Sequence, residues 1–400
     1  MHFLIISQVF YPDSTAVAQL LHDFGKFMLG KGHRVTVICS KHTYEQSALK
    51  LKKNDEVDGI QILRLNHSNF GKKTILGRVL DFLTFNLAVF FKLFSVKKKD
   101  YDAIIGMTTP PLLPFICLLF SKRKKIPFYY WAMDLQPELA IYSNLIKEHS
   151  IQARLLSFFS NFAFKHSDKI IALDDDMKRY IQSRTKASIE VVPPWSLVPL
   201  KAPIKREDNA FRKTHGLDNN IVIMYSGNHS FIHPLSCLLD AAKLLKEESR
   251  FKFLFVGEGV QKKEIAAFKE KHQLANILLL PFEPLEKIHI SLSAADYQVV
   301  TMGNNFIGYT HPNKIYGAMY SGRKIIYTGP KNSFIYTLLQ DCPTNISLSH
   351  NDGKALSEQL LADSADINAV LEQGNSNLNY AKNNFDPDKI KAKLYNFLMD

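Results

Sequence analysis

The segment 309–319, YTHPNKIYGAM, brings three anion-binding side chains to the start of a predicted helix. His311, Asn313 and Lys314 follow one another where a polar loop leads into that helix. The free N–H groups and the dipole of a helix N-terminus favour negative charge. The stretch 297–340 contains no Asp or Glu that would compete with a bound anion. The pattern predicts an anion-binding loop.

Two further loops of the same half contain glycine directly after an apolar strand. Gly227 is followed by polar residues that include His229 and His233, and GEG (257–259) ends the next strand. Glycine lets backbone approach a ligand closely, and the histidines are candidate donors to a phosphate. A plain strand-to-helix turn is the alternative for each loop. The GEG loop lacks the third glycine of a dinucleotide-binding fingerprint.

Carboxylates follow two predicted strands of the first half. Asp134 comes directly after the strand 127–133, where it could act as a base or orient an acceptor hydroxyl. Its alternative role is a helix cap with Glu138 in the first turn. The run Asp174–Asp176 could hold a divalent cation, but its position is more typical of a cap and two first-turn acids. We therefore predict no metal site.

Strands alternate with helices on both sides of the Pro-rich and charged segment 193–209. The predicted strands are 2–7, 34–40, 60–66, 101–108, 127–133, 169–173, 188–193, 221–227, 251–259, 276–282, 297–302 and 324–329. This alternation predicts an α/β protein with two Rossmann-like, doubly wound parallel-sheet domains facing a cleft. The predicted domains are 1–198 and 199–375, followed by a helical tail over 376–400.

Composition is that of a folded globular protein, with 46% hydrophobic and 22% charged residues. The four cysteines are widely spaced and predict reduced thiols in a cytosolic protein. The N-terminal segment is typical of a first strand and not of a signal peptide. Net charge is +12, carried mainly by the first half, which suggests a polyanionic surface as partner.

The segment 72–99 predicts contact with an anionic membrane surface. It contains the apolar helix 75–96, with Lys72–Lys73 before it and Lys97–Lys99 after it. Charges within the helix make it too polar to span a bilayer, so a helix lying in the interface is favoured. The alternative is a core helix with solvated basic ends. Nucleic acid is not predicted, because the aromatic residues cluster with aliphatic ones and not with basic ones.

The ordered segments resemble retaining glycosyltransferases of family 4 over nearly the whole chain. DLQPE (134–138), VVPPW (191–195), YSGNHSFIHPLSCLLDAA (225–242), VGEGVQKKEI (256–265) and HPNKIYGAMYSGRKIIYTGP (311–330) are similar to motifs of a subgroup that transfers sugars in surface-polysaccharide assembly. The resemblance implies the GT-B fold, whose terminal helix crosses back to the first domain. It also implies transfer from a nucleoside diphosphate sugar, without metal or other cofactor, to a lipid-linked saccharide at the inner membrane face.

The resemblance assigns site residues position by position. Asp134 and Lys314 are the predicted catalytic residues. The implied donor-binding residues are Gly227, Asn228, His229, His233, Gly257, Glu258, Pro281, Phe282, His311, Pro312, Asn313, Lys314, Tyr316 and Gly317. The implied acceptor-binding residues are Ser14, Thr15, Ala16, Gln136 and Glu138.

The chain departs from the family pattern at two places. Ser14–Ala16 replaces a Gly-Gly pair, and the family's two C-domain glutamates correspond to Tyr309 and Gly317. The carboxylates' role would pass to backbone groups of Asn305–Gly308 or to Glu258. This departure keeps open a nucleotide-sugar-binding protein without transferase activity, and a nucleotide-sugar 2-epimerase is a further alternative.

Overall fold

The structure, a computed structural model, describes residues 1–43, 51–71, 74–197 and 202–400. The predicted basic pair Lys72–Lys73 lies outside the described residues, as does the predicted domain boundary between 198 and 199.

The chain divides into two compact units. The first contains Met1–Pro194, Gly308–His311 and Asp388–Asp400, and the second contains Trp195–Ile307 and Pro312–Pro387. The four residues 308–311 therefore belong to the first unit, although the chain on both sides of them belongs to the second.

The first unit is built on an eight-stranded sheet. Its strands are β1 (His2–Ile6), β2 (Arg34–Ser40), β3 (Asn54–Val57), β4 (Ile60–Leu65), β5 (Ala103–Met107), β6 (Phe128–Trp131), β7 (Lys169–Ala172) and β8 (Ser188–Val191). The order is β3-β4-β2-β1-β5-β6-β7-β8, and only the edge pair β3–β4 is antiparallel. The inner strands are continuous apolar runs, as expected of a parallel sheet covered on both faces.

Helices connect these strands, and several begin at a side-chain cap. They are α1 (Ala16–Gly30), α2 (Ile75–Phe94), α3 (Leu113–Lys124), α4 (Glu138–Tyr142), α5 (Ile151–His166) and α6 (Asp175–Gln182). The hydroxyls of Thr15, Thr74 and Ser150 accept from backbone N–H groups of α1, α2 and α5. Within the described parts of the chain, no helix combines the length and the apolar character needed to cross a membrane.

The second unit is built on a six-stranded parallel sheet in the order β11-β10-β9-β12-β13-β14. Its strands are β9 (Ile221–Ser226), β10 (Phe251–Val256), β11 (Ile277–Leu280), β12 (Tyr297–Thr301), β13 (Lys324–Thr328) and β14 (Ile346–Leu348). Its helices are α7 (Ala210–Thr214), α8 (Ser236–Leu244), α9 (Lys262–His272), α10 (Ile288–Ser293), α11 (Lys314–Tyr320), α12 (Phe334–Gln340), α13 (Gly353–Asp363) and α14 (Ile367–Asn384). The two doubly wound sheets confirm the predicted fold class.

The terminal stretch forms two helices where the sequence predicted one amphipathic tail. Helix α14 ends at Asn384, and α15 (Pro387–Met399) begins at a proline, which disfavours helical geometry in the residue before it. From Asp388 onward α15 packs on the first unit. There Lys391 pairs with Asp23 at 3.1 Å. This is the crossing helix of the predicted fold class.

Paired carboxamides connect α14 to the second sheet. Asn377 is fully buried, donates to the carbonyl of Arg323 at 2.8 Å and exchanges hydrogen bonds with Asn345. Its carboxamide therefore satisfies groups that would otherwise be buried without a partner.

We expect Asn377→Ala to destabilise the protein by about 2–4 kcal/mol, because it leaves these groups unsatisfied and opens a small void. Thermal unfolding should show the melting temperature lowered by about 5–10 °C. Asn384→Ala is the matched control, because its exposed side chain bonds only the Tyr380 carbonyl of its own helix. Equal melting temperatures for the two variants would contradict this role.

Candidate functional site

Lys314 and Gly227 lie together at the carboxyl edge of the second sheet. Strand order reverses between β9 and β12, and such a reversal is where open α/β sheets bind ligands. The amine of Lys314 donates to the hydroxyl of Tyr225 and lies 3.9 Å from the centroid of its ring. Gly227 follows β9 with φ 136°, and a Cβ there would lie 3.4 Å from Lys314 Cε. Glycine thus keeps a side chain out of the space beside the amine.

Two histidines share this environment. His229 is fully buried, and neither of its ring nitrogens has a hydrogen-bond partner among the described residues. The pKa of His229 is lowered to about 4, mainly by burial, and the nearby Lys314 acts in the same direction. Nδ1 of His233 lies 2.7 Å from the Thr301 carbonyl oxygen, and burial lowers its pKa well below the ordinary value. Buried polar groups without a partner are rare, so His229 marks a position for a ligand or water.

The amine of Lys314 has no ion pair within the described part of the chain. Burial lowers the pKa of Lys314 well below the ordinary lysine value. The site therefore combines one amine and two imidazoles whose neutral forms are favoured while it is empty.

The loop after β10 approaches the Gly227 loop so closely that no side chain fits between the two backbones. Gly257 has φ 134°, and a Cβ there would lie only 2.1 Å from the Gly227 carbonyl oxygen. The exposed ring of Phe282 borders the same glycine, since its Cε1 would lie 3.1 Å from that Cβ. Glu258 is 57% exposed, and its carboxylate lies 2.6 Å from the Lys262 amine. The structure thus brings three predicted donor segments to one edge.

The remaining predicted donor residues of the second unit differ in access. Asn228 and Pro281 are exposed, and Pro312 is buried. Asn313 occupies the N-cap position of α11 without a side-chain capping bond, and its side-chain oxygen is buried without a partner among the described residues. Tyr316 is buried against the ring of Phe385, which leaves its ring inaccessible to a ligand.

Gly317 has open space beside it. A Cβ at this position would make only ordinary van der Waals contact, 3.5 Å from the nearest methyl group of Leu292.

His311 lies in the first unit, whereas Lys314 lies in the second. Its Nδ1 is 2.6 Å from the Asp174 carboxylate. The neighbouring Thr310 hydroxyl donates to Asp134 at 2.6 Å, and the Leu135 N–H donates to the Tyr309 carbonyl oxygen at 2.7 Å. These contacts attach the loop 308–311 to the first unit, so the structure does not bring His311 and Lys314 together within one unit.

Asp134 follows β6 and is a desolvated carboxylate. Burial raises its pKa, while the Thr310 hydrogen bond and the charge of His311 act in the opposite direction. Glu138 begins α4 and accepts a hydrogen bond from the Tyr180 hydroxyl; burial raises its pKa as well. Gln136 lies between them and is half-buried. The three polar residues of DLQPE, which are Asp134, Gln136 and Glu138, therefore lie close together in one short segment.

The predicted acceptor loop after β1 forms the start of α1. Thr15 caps the helix through its side chain, Ala16 is its first residue, and the Ser14 carbonyl accepts from Gln19 at 2.8 Å. Ser14 and Ala16 are exposed.

The three adjacent acids after β7 behave as the helix-start pattern predicts. The Asp174 side chain accepts from the Met177 N–H at 2.7 Å, and Asp175 and Asp176 lie in the first turn of α6. No group of three or more metal-ligating side chains comes together in the described ranges.

Sequence reasoning missed Tyr225, Thr310 and the Asp174–His311 contact. A tyrosine as the penultimate residue of an apolar strand, two before Gly227, was a usable signal for the first. The contacts of Thr310 and His311 join residues more than 130 positions apart in sequence, and no local pattern indicates them.

No protein-family model matches the chain. Two named relatives are similar to it. "Probable glycosyltransferase WbjE" of Pseudomonas aeruginosa is 24% identical over 66% of this chain and 67% of its own length. "Putative colanic acid biosynthesis glycosyl transferase WcaI" of Escherichia coli (strain K12) is 21% identical over 86% of this chain and 87% of its own.

Solved structures share the fold over the full chain. Sucrose-phosphate synthase from Thermosynechococcus elongatus has a TM-score of 0.76 at 14% identity, covering 100% of this chain and 99% of its own. HepE of Anabaena, in complex with UDP and glucose, has a TM-score of 0.73 at 17% identity with the same coverage. WaaG, a glycosyltransferase involved in lipopolysaccharide biosynthesis, has a TM-score of 0.72 at 14% identity, covering 98% of each chain. The architecture is thus the GT-B arrangement of two α/β units.

We expect Asp134→Asn to raise the melting temperature at neutral pH by about 1–3 °C while lowering activity. Burial raises the folded-state pKa, so the ionised form is disfavoured in the fold. The associated stability is present below the ordinary Asp pKa, about 3.9, and is lost as pH rises through the folded-state value. Asparagine avoids this loss and keeps an oxygen for Thr310.

The difference between Asp134→Asn and the wild type should therefore vanish in thermal scans below about pH 4. Asp174→Ala is the contrasting control. It removes both the α6 cap and the His311 contact, and should lower the melting temperature at every pH where the protein folds. A neutral-pH melting temperature of Asp134→Asn at or below the wild-type value would refute the raised pKa.

Proposed function

We propose that this protein is a retaining glycosyltransferase that moves a hexosyl or N-acetylhexosaminyl group from a nucleoside diphosphate sugar to a lipid-linked saccharide in surface-polysaccharide biosynthesis. The resemblance to family 4 supports the retaining mechanism. The names of WbjE and WcaI support the class of reaction and the pathway.

The observation that carries the proposal is the cluster of basic side chains at the edge of the second sheet, where Glu258 is paired with Lys262 and not with Lys314. Lys314 and His229 lie where Gly227 and Gly257 open the backbone, and no carboxylate pairs with the amine within the described residues. Such a cluster suits the two phosphates of a nucleotide sugar. Preorganised donors beside a departing diphosphate stabilise the charge that develops in the transition state, which is a metal-independent way to activate the donor.

Other parts of the donor and acceptor have candidate partners. The exposed ring of Phe282 beside Gly257 offers a face for the nucleoside base. Asp134 in the first unit is assigned to the transferred group and acceptor hydroxyl, since a desolvated carboxylate with a raised pKa can accept or return a proton. The complex of HepE with UDP and glucose supports a UDP-sugar as the first donor to test.

The first unit presents an apolar surface suited to the inner face of a membrane. Phe94 of α2 contacts Phe120 of α3 at 4.8 Å between centroids, and Phe115 of α3 contacts Phe159 of α5 at 4.7 Å. The three helices therefore pack side by side. Their large exposed apolar residues are Ile75, Leu76, Val79, Leu80, Leu83, Leu87, Phe91, Phe94, Leu119, Ile151, Leu155 and Phe158.

Charge on this surface fits anionic lipid. The described run Lys97–Lys99 begins three residues after the end of α2, and the run Lys122–Lys125 forms the last turn of α3 and the residue after it. The only acidic residue of α2, Asp81, is turned inward, where it accepts from Ser68 and from the N–H groups of Phe70 and Gly71. An apolar face with basic ends is typical of interfacial helices, although one lysine of this surface, Lys122, lies 3.6 Å from the Asp168 carboxylate. We propose that this surface holds the protein at the cytoplasmic membrane near its lipid-linked acceptor.

We expect the wild type to bind one nucleoside diphosphate sugar from a panel and to transfer its sugar to a lipid-linked acceptor. A ligand that binds only the native state raises the melting temperature, which selects the donor before turnover is measured. Binding with neither transfer nor donor hydrolysis would favour a silent binding protein. An epimerised sugar formed without acceptor would favour a 2-epimerase. No binding by any donor would refute the proposal.

Glu258→Ala should weaken donor affinity by about tenfold or more if this carboxylate replaces the missing ribose contact. Calorimetric titration with the selected donor measures the change. Glu264→Ala is the matched control, an exposed glutamate on the following helix. Unchanged affinity in Glu258→Ala would assign the role to the backbone of Asn305–Gly308.

Phe91→Asp should reduce binding to vesicles containing anionic lipid by about tenfold or more, because it places a charge on the apolar face. Cosedimentation with anionic and neutral vesicles measures this. Leu244→Asp is the control, since Leu244 is similarly exposed (57%, against 63% for Phe91) but lies in the second unit. Equal loss in both variants, or equal binding to both vesicle types, would refute the assigned surface.

A further inference from the structure

Tyr225 holds the amine of Lys314 in a defined position. The phenol hydroxyl donates to the Asn228 carbonyl at 2.8 Å, so its proton is committed and its oxygen is free to accept from the amine. The same ring lies beneath the amine at 3.9 Å. Tyr225 therefore contacts the Lys314 amine in two ways, through a neutral hydrogen-bond acceptor and through the face of its aromatic ring.

An ammonium group is poorly accommodated in these surroundings. It has three donors and requires acceptors or a counter-charge, whereas Tyr225 supplies one neutral oxygen. His233 and His229 face the amine without supplying negative charge, and Lys262 adds a further positive charge facing His229. Glu258, whose charge acts on His229, is already paired with Lys262, and within the described residues no carboxylate forms an ion pair with Lys314. Desolvation without compensation favours the neutral amine.

We propose that the Lys314 amine is uncharged when the donor site is empty, that binding of the diphosphate transfers one proton from solvent to Lys314, and that Tyr225 positions the amine for this step. The inference rests on the proposed function and concerns the same site. The proton balance is simple: solvent supplies H⁺ to Nζ, which becomes an ammonium facing the diphosphate oxygens. The proton returns to solvent when the nucleoside diphosphate product leaves.

This coupling fixes the pH dependence of donor affinity. Above the pKa of Lys314 in the empty site, affinity should fall about tenfold per pH unit, because each binding event must take up a proton. Below that pKa the amine is already charged, so affinity becomes independent of pH. If Lys314 were charged at every pH in the empty site, donor affinity would be independent of pH over the whole range.

The test is a proton count by calorimetry. A nucleotide sugar is the probe, because both its phosphates are diesters and do not titrate between about pH 6 and 8.5. Binding enthalpy is measured in buffers of different ionisation enthalpy, and its slope gives the protons taken up. We expect about one proton per site at the upper end of this range, together with weakening affinity as pH rises.

Three variants separate charge from position. Lys314→Arg keeps the cation, which stays protonated at all these pH values, so it should bind with no proton uptake and with pH-independent affinity. Tyr225→Phe keeps the ring and removes the hydroxyl, so affinity should fall about five- to tenfold while uptake persists. Lys263→Arg, an exposed change on α9, should retain the wild-type count.

The outcomes distinguish the two proposals. No binding of any nucleotide sugar by the wild type would overturn the proposed function, and this inference with it. Tight binding with no proton uptake across the pH range would overturn only the inference. The wild-type count decides this even if a variant fails to fold. Uptake that persists in Lys314→Arg would reassign the proton to another group and also overturn the inference.

Discussion

A lysine amine that has no carboxylate partner among the described residues is the group around which the candidate site of the second unit is arranged. Lys314 begins α11 beside the strand reversal, where the parallel sheet directs its loops. Gly227 and Gly257 keep side chains out of the space around the amine, and Tyr225 supplies the contact that a carboxylate would otherwise provide. An amine held in this way does not stabilise the fold, because no counter-charge compensates for its desolvation. It becomes favourable only when an anion is present, which ties the local architecture to ligand binding.

Burial favours the neutral forms of ionisable groups in both units, although these groups are acids in the first unit and bases in the second. In the first unit, burial raises the pKa of Asp134 and of Glu138, which favours protonated carboxyls. In the second, burial lowers the pKa of Lys314 and of His229, which favours neutral bases. Desolvation in each unit therefore favours neutral forms of these groups, so that they carry no net charge. A charged ligand bound beside these groups would change their protonation, which is the basis of the proton coupling proposed for the second unit.

Sequence patterns predicted the parts of this structure that depend on local periodicity. Apolar runs located the strands of both sheets except the short edge strands β3 and β14, and Asp174 was correctly interpreted as a helix cap. Sequence patterns failed where a segment is held by residues that are distant from it in sequence. His311 and Lys314 are three residues apart, but Asp134 and Asp174 bind the loop 308–311 to the first unit. No local pattern contains those contacts, since they join residues from different halves of the chain.

The absence of a carboxylate at Gly317 is a chemical feature and not a steric requirement. Its backbone does not adopt the left-handed region, and a Cβ would make only ordinary contact with Leu292, so the fold would accept a larger residue there. A glutamate at this position would lie one helical turn after Lys314, where opposite charges interact. It would favour the ammonium form in the empty site and compete with the diphosphate for it. Under the proposed coupling, glycine at 317 therefore preserves a neutral lysine, which binding of the donor would convert into a cation.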